Sequence, residues 1–259
     1  MNTFRQVAFR AARLAGRSLL RNYDKLKSSD IRKKSKHDLV TKADMEANRL
    51  IIKTIKQKFT QHDFLSEETG SEDNPDIYKW VIDPLDGTTN YTIHNPLFCV
   101  AITLVYKKDI LLSVVYAPYL EEFYYAEKGK GAFLNSKKIH VSATRSLANS
   151  IILLGRSHRH ESHVNLVSAQ KKLKPKVLNM RILGSGSLDL AYVASGRAEA
   201  CLLIPPKIHL WDSLAGILLI REAGGKVTDF RGREWDFKSD GVFASNKIIH
   251  RRLFKIVKR

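Results

Sequence analysis

Strand-like alternation dominates residues 98–141, and from residue 150 onward the pattern changes to strands that alternate with helices. That switch restricts the fold more than any other feature. Consecutive short strands joined by turns build an antiparallel sheet, whereas strand–helix alternation builds an α/β layer. Two differently built parts are therefore expected within a single unit spanning residues 1–259: an α+β part over about 1–145 and an α/β part over about 146–259. A chain of this length buries a sizeable core without disulfides. No internal repeat, low-complexity segment or long linker interrupts it.

In the first part, Phe4, Val7, Ala8, Ala11, Leu14, Ala15 and Leu19 recur at helical spacing between arginines, predicting a surface helix with one face on the core. Residues 25–37 are polar and basic and read as a loop. Asp38-Leu39-Val40-Thr41-Lys42-Ala43-Asp44 leads into a second helix carrying Leu50, Ile51, Ile55 and Phe59 on one face. A short strand is expected over 63–68, a polar turn over 69–76, and a buried strand over 78–82 that stops at Asp83-Pro84. Strands at 99–106, 110–116 and 122–127 follow, with Gly129, Gly131 and Asn135 marking turns. In the second part, strands are expected at 151–154, 199–204 and 243–245. Helices are expected at 187–194, at 211–223 before Gly224-Gly225, and at the basic C-terminus.

Composition excludes several classes. No apolar run of about eighteen residues exists, so a membrane span is not expected. Cys99 and Cys201 both sit in apolar runs and read as buried, reduced thiols. With no secretory signal and no disulfide framework, the cytoplasm is the expected compartment. The formal net charge of +18 is compatible with RNA or another acidic partner, and equally with steering anionic substrates into a cleft. The basic stretches lack the interleaved aromatics of a base-stacking platform. His158, His160 and His163 are read as part of a solvated basic loop, since only Glu161 lies nearby to complete a metal site.

The chemistry is carried by acids. In Trp80-Val81-Ile82-Asp83-Pro84-Leu85-Asp86-Gly87-Thr88-Thr89-Asn90, a strand delivers Asp83 to its end and Asp86 lies close enough to face the same point. Neighbouring carboxylates repel unless a cation lies between them, and an oxygen-only donor set suits Mg²⁺ or Ca²⁺ rather than zinc. Gly87, Thr88 and Thr89 read as the start of a helical turn whose free N–H groups face a phosphate. Metal ligands running into an anion cradle are what phosphate-ester hydrolysis requires. Taken singly, the same residues also fit an Asx-turn, an N-cap at Asp212 and an exposed turn acid at Glu67.

Taken together, Asp38–Asp44, Ser66-Glu67-Glu68, Asp83–Asn90, Trp211-Asp212 and Glu222-Ala223-Gly224-Gly225 resemble the inositol monophosphatase family, in the family's order and over nearly the whole chain. This family lies in the lithium-sensitive, magnesium-dependent phosphatase superfamily. The resemblance implies a layered α/β/α/β/α sandwich of the inositol monophosphatase / fructose-1,6-bisphosphatase type and a homodimer. It also takes in the N-terminal helix, which argues against a cleaved targeting segment there.

Two to three Mg²⁺ ions are implied, held by Glu67, Asp83, the Leu85 carbonyl, Asp86 and Asp212. Asp44 and Thr88 are implied to position and deprotonate the attacking water, with Glu67 also serving catalysis. Gly87 and Thr88 would grip the phosphate through backbone amides, and Gly184 and Ser185 would face the substrate. Attack would be direct and in line, without a phosphoenzyme. The residues themselves agree, since no activated Cys, His or Ser nucleophile is apparent.

The substrate end departs from the family pattern. Inositol-selective members carry a Glu shortly before Trp-Asp, whereas residues 200–210 here contain no carboxylate. Losing that acceptor weakens selection for a polyol, and Lys207 and His209 favour a more anionic substrate. Three functions follow for comparison: hydrolysis of a small phosphate monoester; a bisphosphate nucleotidase or sugar bisphosphatase on the same fold; or a regulatory protein contacting RNA or the transcription machinery.

Overall fold

The computed structural model describes residues 2–35, 38–71 and 78–258. In chain order the first part contains helix α1 (Asn2–Tyr23), strands β1 (Ile31–Ser35) and β2 (Asp38–Thr41), helix α2 (Lys42–Lys56), and strands β3 (Asp63–Ser66), β4 (Gly70–Ser71) and β5 (Tyr78–Asp86). Helix α3 (Thr88–Thr92) and strands β6 (Cys99–Tyr106), β7 (Asp109–Ala117), β8 (Glu122–Glu127), β9 (Gly131–Leu134) and β10 (Lys137–Ile139) complete it. The second part runs β11 (Ile151–Arg156), α4 (His160–Leu173), β12 (Asn179–Arg181), α5 (Gly186–Ala194) and β13 (Ala200–Ile204). It ends with α6 (Leu210–Glu222), β14 (Lys226–Thr228), β15 (Val242–Ser245) and α7 (His250–Lys258).

Among the described residues, eight strands form one sheet in the order β10-β9-β8-β7-β6-β5-β3-β4, and five form another in the order β12-β11-β13-β15-β14. The larger sheet is antiparallel except where β3 runs parallel to β5. The smaller is parallel across β12, β11 and β13, then antiparallel through β15 and β14.

Period-two alternation sorts side chains into layers. Trp80, Ile82, Val100, Ile102 and Leu104 face α1 and α2, whereas Val81, Cys99, Ala101 and Val105 face α5 and α6. In the smaller sheet Cys201, Leu203 and Ala244 face α5 and α6, whereas Leu202, Ile204 and Phe243 face α4 and α7. The order of layers is α1α2, large sheet, α5α6, small sheet, α4α7, which is an α/β/α/β/α sandwich. Both sheets bury one face on the same central pair of helices. That is why α6 is buried over Ser213–Ile220 rather than amphipathic. Small residues permit the close approaches: a Cβ added at Gly16 would lie 2.4 Å from Tyr116 Cε1, and one at Gly216 would lie 2.2 Å from Leu190 Cβ.

Four local expectations are corrected. Residues 25–37 are not all loop, because Ile31–Ser35 pairs antiparallel with β2 in a two-stranded ribbon. Arg32 and Lys33 are exposed, so that strand carries no apolar alternation to betray it. Residues 36–37 lie outside the described residues. Pro84 does not end β5: the strand runs to Asp86, and the register with β6 shifts between Asp83 and Asp86, so the proline sits in a bulge where no ladder N–H is needed. The basic loop read through His158–His163 is helical from His160, the start of α4. Its short apolar stripe, Leu166, Ala169 and Leu173, was obscured by polar residues. The turn expected over 69–76 is partly strand β4, and residues 72–77 lie outside the described residues.

One buried group joins the last elements. His250 bridges Ser245 (Nδ1 to Oγ, 2.8 Å) and Thr228 (Nε2 to Oγ1, 3.1 Å). Burial, with a smaller contribution from Lys226, pushes its pKa down to about 4. The unfolded chain therefore binds a proton near pH 6.5 that the folded protein refuses. The resulting stability is fully present above pH 6.5 and is lost as the pH falls towards 4, on the order of 2 kcal/mol. The stability advantage of the native protein over His250→Gln in urea unfolding is expected to shrink across that interval. An advantage that stays constant would contradict this.

Candidate active site

A cleft of about 330 Å³ opens between the two sheets, lined by Glu67, Asp83, Leu85, Asp86, Gly87, Thr88, Gly184, Ser185 and Asp212 among others. The fold thus brings together every site residue expected from the sequence except Asp44, which lies behind Thr88. They arrive from several elements of both parts of the chain. Glu67 follows β3, and its N–H donates to the Ile82 carbonyl (3.2 Å), tying it to the neighbouring strand. Asp83 and Asp86 lie on either side of the β5 bulge. Asp212 occupies the first turn of α6, whose N-cap is His209 rather than Asp212 itself.

The bulge is locked by its own backbone. The Leu85 N–H donates to Asp83 Oδ1 (3.0 Å). Asp86 accepts from the Gly186 N–H (3.2 Å) and the Ser187 N–H (2.6 Å) at the start of α5. Asp83 and Asp86 are buried, 2% and 7% exposed. Neither is paired with a lysine or arginine among the described residues. Burial, then the charges of Glu67, Asp86 and Asp212, push the Asp83 carboxyl well above the usual range. Burial pushes Asp86 up to about 6 against the opposing hydrogen bonds from Ser187 and Ser185.

No three acid, His or Cys side chains converge as a coordination set among the described residues. The mutual repulsion felt at Asp83 nonetheless places four carboxylates in one electrostatic neighbourhood. A buried donor set of oxygens, with like charges and no basic side chain paired to its two central members, fits a hard divalent cation.

Beside the acids, Gly87 adopts φ 93° as the N-cap of α3. A Cβ there would lie 2.9 Å from the Leu97 carbonyl oxygen and 3.3 Å from Ser185 Cβ, so the turn can approach the Gly184–Ser185 loop only as glycine. Asn90 holds the two together, its Nδ2 donating to the carbonyls of Leu97 and Leu183 (2.7 Å each). The Thr88 hydroxyl lies 3.0 Å from the Leu85 carbonyl and 3.2 Å from Asp44 Oδ1, and its proton can serve one acceptor at a time. Asp44 is also the third residue of the α2 capping box, accepting at Oδ2 from the Thr41 N–H (2.9 Å) and the Thr41 hydroxyl (2.5 Å). It is 1% exposed, and burial pushes its pKa up to about 7.

Several cleft residues had no role in the sequence reading. Asn90 tethers the turn. Asp189 on α5 is 1% exposed, and neither carboxyl oxygen has a hydrogen-bond partner among the described residues. Burial, then Asp86, pushes its pKa well above the usual range. An acid inside the apolar run Leu188–Ala191 was the available signal. Arg156 and His158, where β11 ends, also line the cleft. Lys207 and His209 do not: Ile208 between them lines it, while His209 stacks on Trp211 at 4.4 Å.

A five-layer sandwich with buried carboxylates and a Gly-Thr turn in one cleft defines a phosphoric monoester hydrolase. The chain belongs to the inositol monophosphatase family, whose sequence profile matches residues 1–259. It is 37% identical over 255 residues to the inositol-1-monophosphatase of Mesorhizobium japonicum, covering 98% of this chain and 95% of that protein. It is 40% identical over 232 residues to the Nus factor SuhB of Xylella fastidiosa, covering 88% and 82%. The crystal structure of extragenic suppressor protein suhB from Bartonella henselae superimposes with a TM-score of 0.94 at 34% identity, covering 99% of each chain. The fold is the inositol monophosphatase / fructose-1,6-bisphosphatase sandwich, and the family is generally metal-dependent. Among the described residues no helix is long and apolar enough to cross a membrane.

Proposed function

We propose that this protein hydrolyses a small phosphate monoester, using Mg²⁺ held by the cleft acids, in the cytoplasm. The observation that carries this is the buried carboxylate group centred on Asp83, opening into the same cleft as the Gly87-Thr88 turn. Glu67, Asp83, the Leu85 carbonyl, Asp86 and Asp212 would hold two to three ions. Bound magnesium supplies positive charge that stabilises phosphoryl oxygens and makes water easier to deprotonate. The chain's own groups supply the rest. The N–H groups of Gly87 and Thr88 grip the phosphate, while Gly184 and Ser185 bound the leaving group's side of the cleft. Thr88 Oγ1 accepts a hydrogen bond from the attacking water, and Asp44, poised near neutrality by burial, takes up the proton through that hydroxyl. The phosphorus–oxygen bond breaks as water attacks in line, and no side chain becomes phosphorylated.

Phosphate release from glycerol 2-phosphate and inositol 1-phosphate, measured with Mg²⁺ and again with EDTA, tests this reading. Release that needs Mg²⁺ is expected, together with inhibition by lithium. Release that persists in EDTA would contradict it.

A second reading rests on the relatives named Nus factor SuhB and on the outermost layer, where α7 carries no acid and α4 only Glu161. There the protein, as a homodimer, contacts RNA or the transcription machinery. RNA binding that weakens steeply with salt and survives Asp83→Asn would support it. Light scattering at twice the 29.5 kDa chain mass would support the dimer.

A further inference from the structure

Residues 182–184 form one wall of the cleft, with Ile182 and Gly184 lining it. They run from the end of β12 at Arg181 towards the start of α5 at Gly186, outside any helix or strand. Ile182 and Gly184 are exposed, and β12 is an edge strand paired only with β11. Backbone carbonyls and N–H groups of this stretch take no part in a ladder or a helix. Among the described residues, one hydrogen bond fastens 182–184 to the rest of the protein, from Asn90 Nδ2 to the Leu183 carbonyl (2.7 Å).

Asn90 is built for that task. Its amide nitrogen has two hydrogens, and one goes to Leu183 while the other goes to the Leu97 carbonyl (2.7 Å). Its Oδ1 accepts from Asn95 Nδ2 (3.2 Å), and Asn95 Oδ1 accepts from the Leu97 N–H (3.2 Å). The amide is therefore oriented from both ends, and the residue is 8% exposed. Gly184 makes the approach possible: it adopts φ 84°, and a Cβ there would lie 3.1 Å from Asn90 Nδ2. The phosphate cradle on the opposite side has supports of its own. The Tyr91 N–H donates to the Gly87 carbonyl (3.0 Å), and the Thr88 hydroxyl reaches the Leu85 carbonyl. Removing the amide thus frees the wall and leaves the cradle standing on β5 and α3.

We propose that Asn90 is the positioning residue that fixes the leaving-group wall at 182–184 against the phosphate cradle. It governs capture of an intact ester, which touches both sides of the cleft, and not of inorganic phosphate, which touches the cradle alone. The inference rests on the phosphatase reading above and specifies what holds its substrate side.

The test measures kcat and KM for inositol 1-phosphate and glycerol 2-phosphate, the inhibition constant of inorganic phosphate, and the urea midpoint, all with Mg²⁺. Native protein is compared with Asn90→Ala, Gly184→Ala and Asn95→Ala. Asn90→Ala is expected to lower kcat/KM for both esters about tenfold, mostly through KM, while the phosphate inhibition constant stays within about twofold. Gly184→Ala keeps the amide but pushes the wall off it, and should show the same split even if Asn90→Ala does not fold. Asn95→Ala retains both carbonyl bonds and should lose less than Asn90→Ala. A lower urea midpoint with unchanged kinetics would make Asn90 a purely structural residue and overturn the proposal. Equal losses in ester turnover and phosphate affinity would also overturn it, because the cradle itself would then depend on the amide. Failure of the phosphatase reading looks different, since the native protein would then release no phosphate in a magnesium-dependent way.

Discussion

Replacing Asp83 by Asn is expected to reduce magnesium-dependent phosphate release by at least about a thousandfold, roughly 4 kcal/mol of transition-state stabilisation, while leaving the protein folded. Two effects of opposite sign underlie this. The carboxylate is buried at the bulge of β5 and shares its surroundings with Glu67, Asp86 and Asp212, so without a cation its charge opposes folding. An amide of the same shape keeps the acceptor for the Leu85 N–H and removes that repulsion. The thermal midpoint in EDTA should therefore stay level or rise, and the increase produced by adding Mg²⁺ should shrink. A variant that retains turnover would remove Asp83 from the metal site. One that unfolds in EDTA would show that the carboxylate is a structural group whose charge is satisfied in the fold.

Enlarging Gly216 is expected to produce the largest loss of stability of any single methyl addition in the central layer. An added Cβ would lie 2.2 Å from Leu190 Cβ, a backbone-proximal atom that no rotamer change can move. The central helices would have to separate, and each is covered by a sheet on both sides, so the displacement has no free direction. Overpacking of this kind costs about 1–3 kcal/mol or more, offset by about 1 kcal/mol of better helix propensity for alanine. Gly216→Ala should lower the urea midpoint clearly, and Gly216→Val should prevent recovery of folded protein. A Gly216→Ala protein as stable as the native one would mean that α5 and α6 can shift apart without penalty.

The layered architecture was partly legible in the sequence, and the reason differs by element. Strands β6, β7 and β8 alternate apolar residues towards two packed faces, so the bounds read from sequence lie within one residue of those observed. By contrast β1 is exposed and cationic, and α4 carries histidines, lysine and serine over a thin apolar stripe. In both, tertiary pairing supplies what local pattern does not. Pro84 misled because proline's missing N–H ends most strands, yet within a bulge it costs no ladder bond. For the site, a two-residue spacing across a bulge brought Asp83 and Asp86 into view together. Arg156 and His158 could not be placed from sequence, because their position depends on where β11 ends relative to a cleft formed by the other sheet. Lys207 and His209 were read from sequence as favouring a more anionic substrate, but it is Ile208 between them that lines the cleft.

Asp86 belongs to the first sheet, yet the N–H groups that fix its carboxylate belong to the helix lying on the second, and Ser187 Oγ in that helix also donates to the Asp212 carbonyl (3.2 Å). No fragment containing one sheet alone can present a competent arrangement of acids. On the function proposed above, a chain truncated before α6 is expected to hydrolyse no phosphate ester, because Asp212 and the groups that hold Asp86 come from the central helices. Turnover thus becomes a report on assembly: any agent that loosens the central helices should extinguish hydrolysis before either sheet loses its strands.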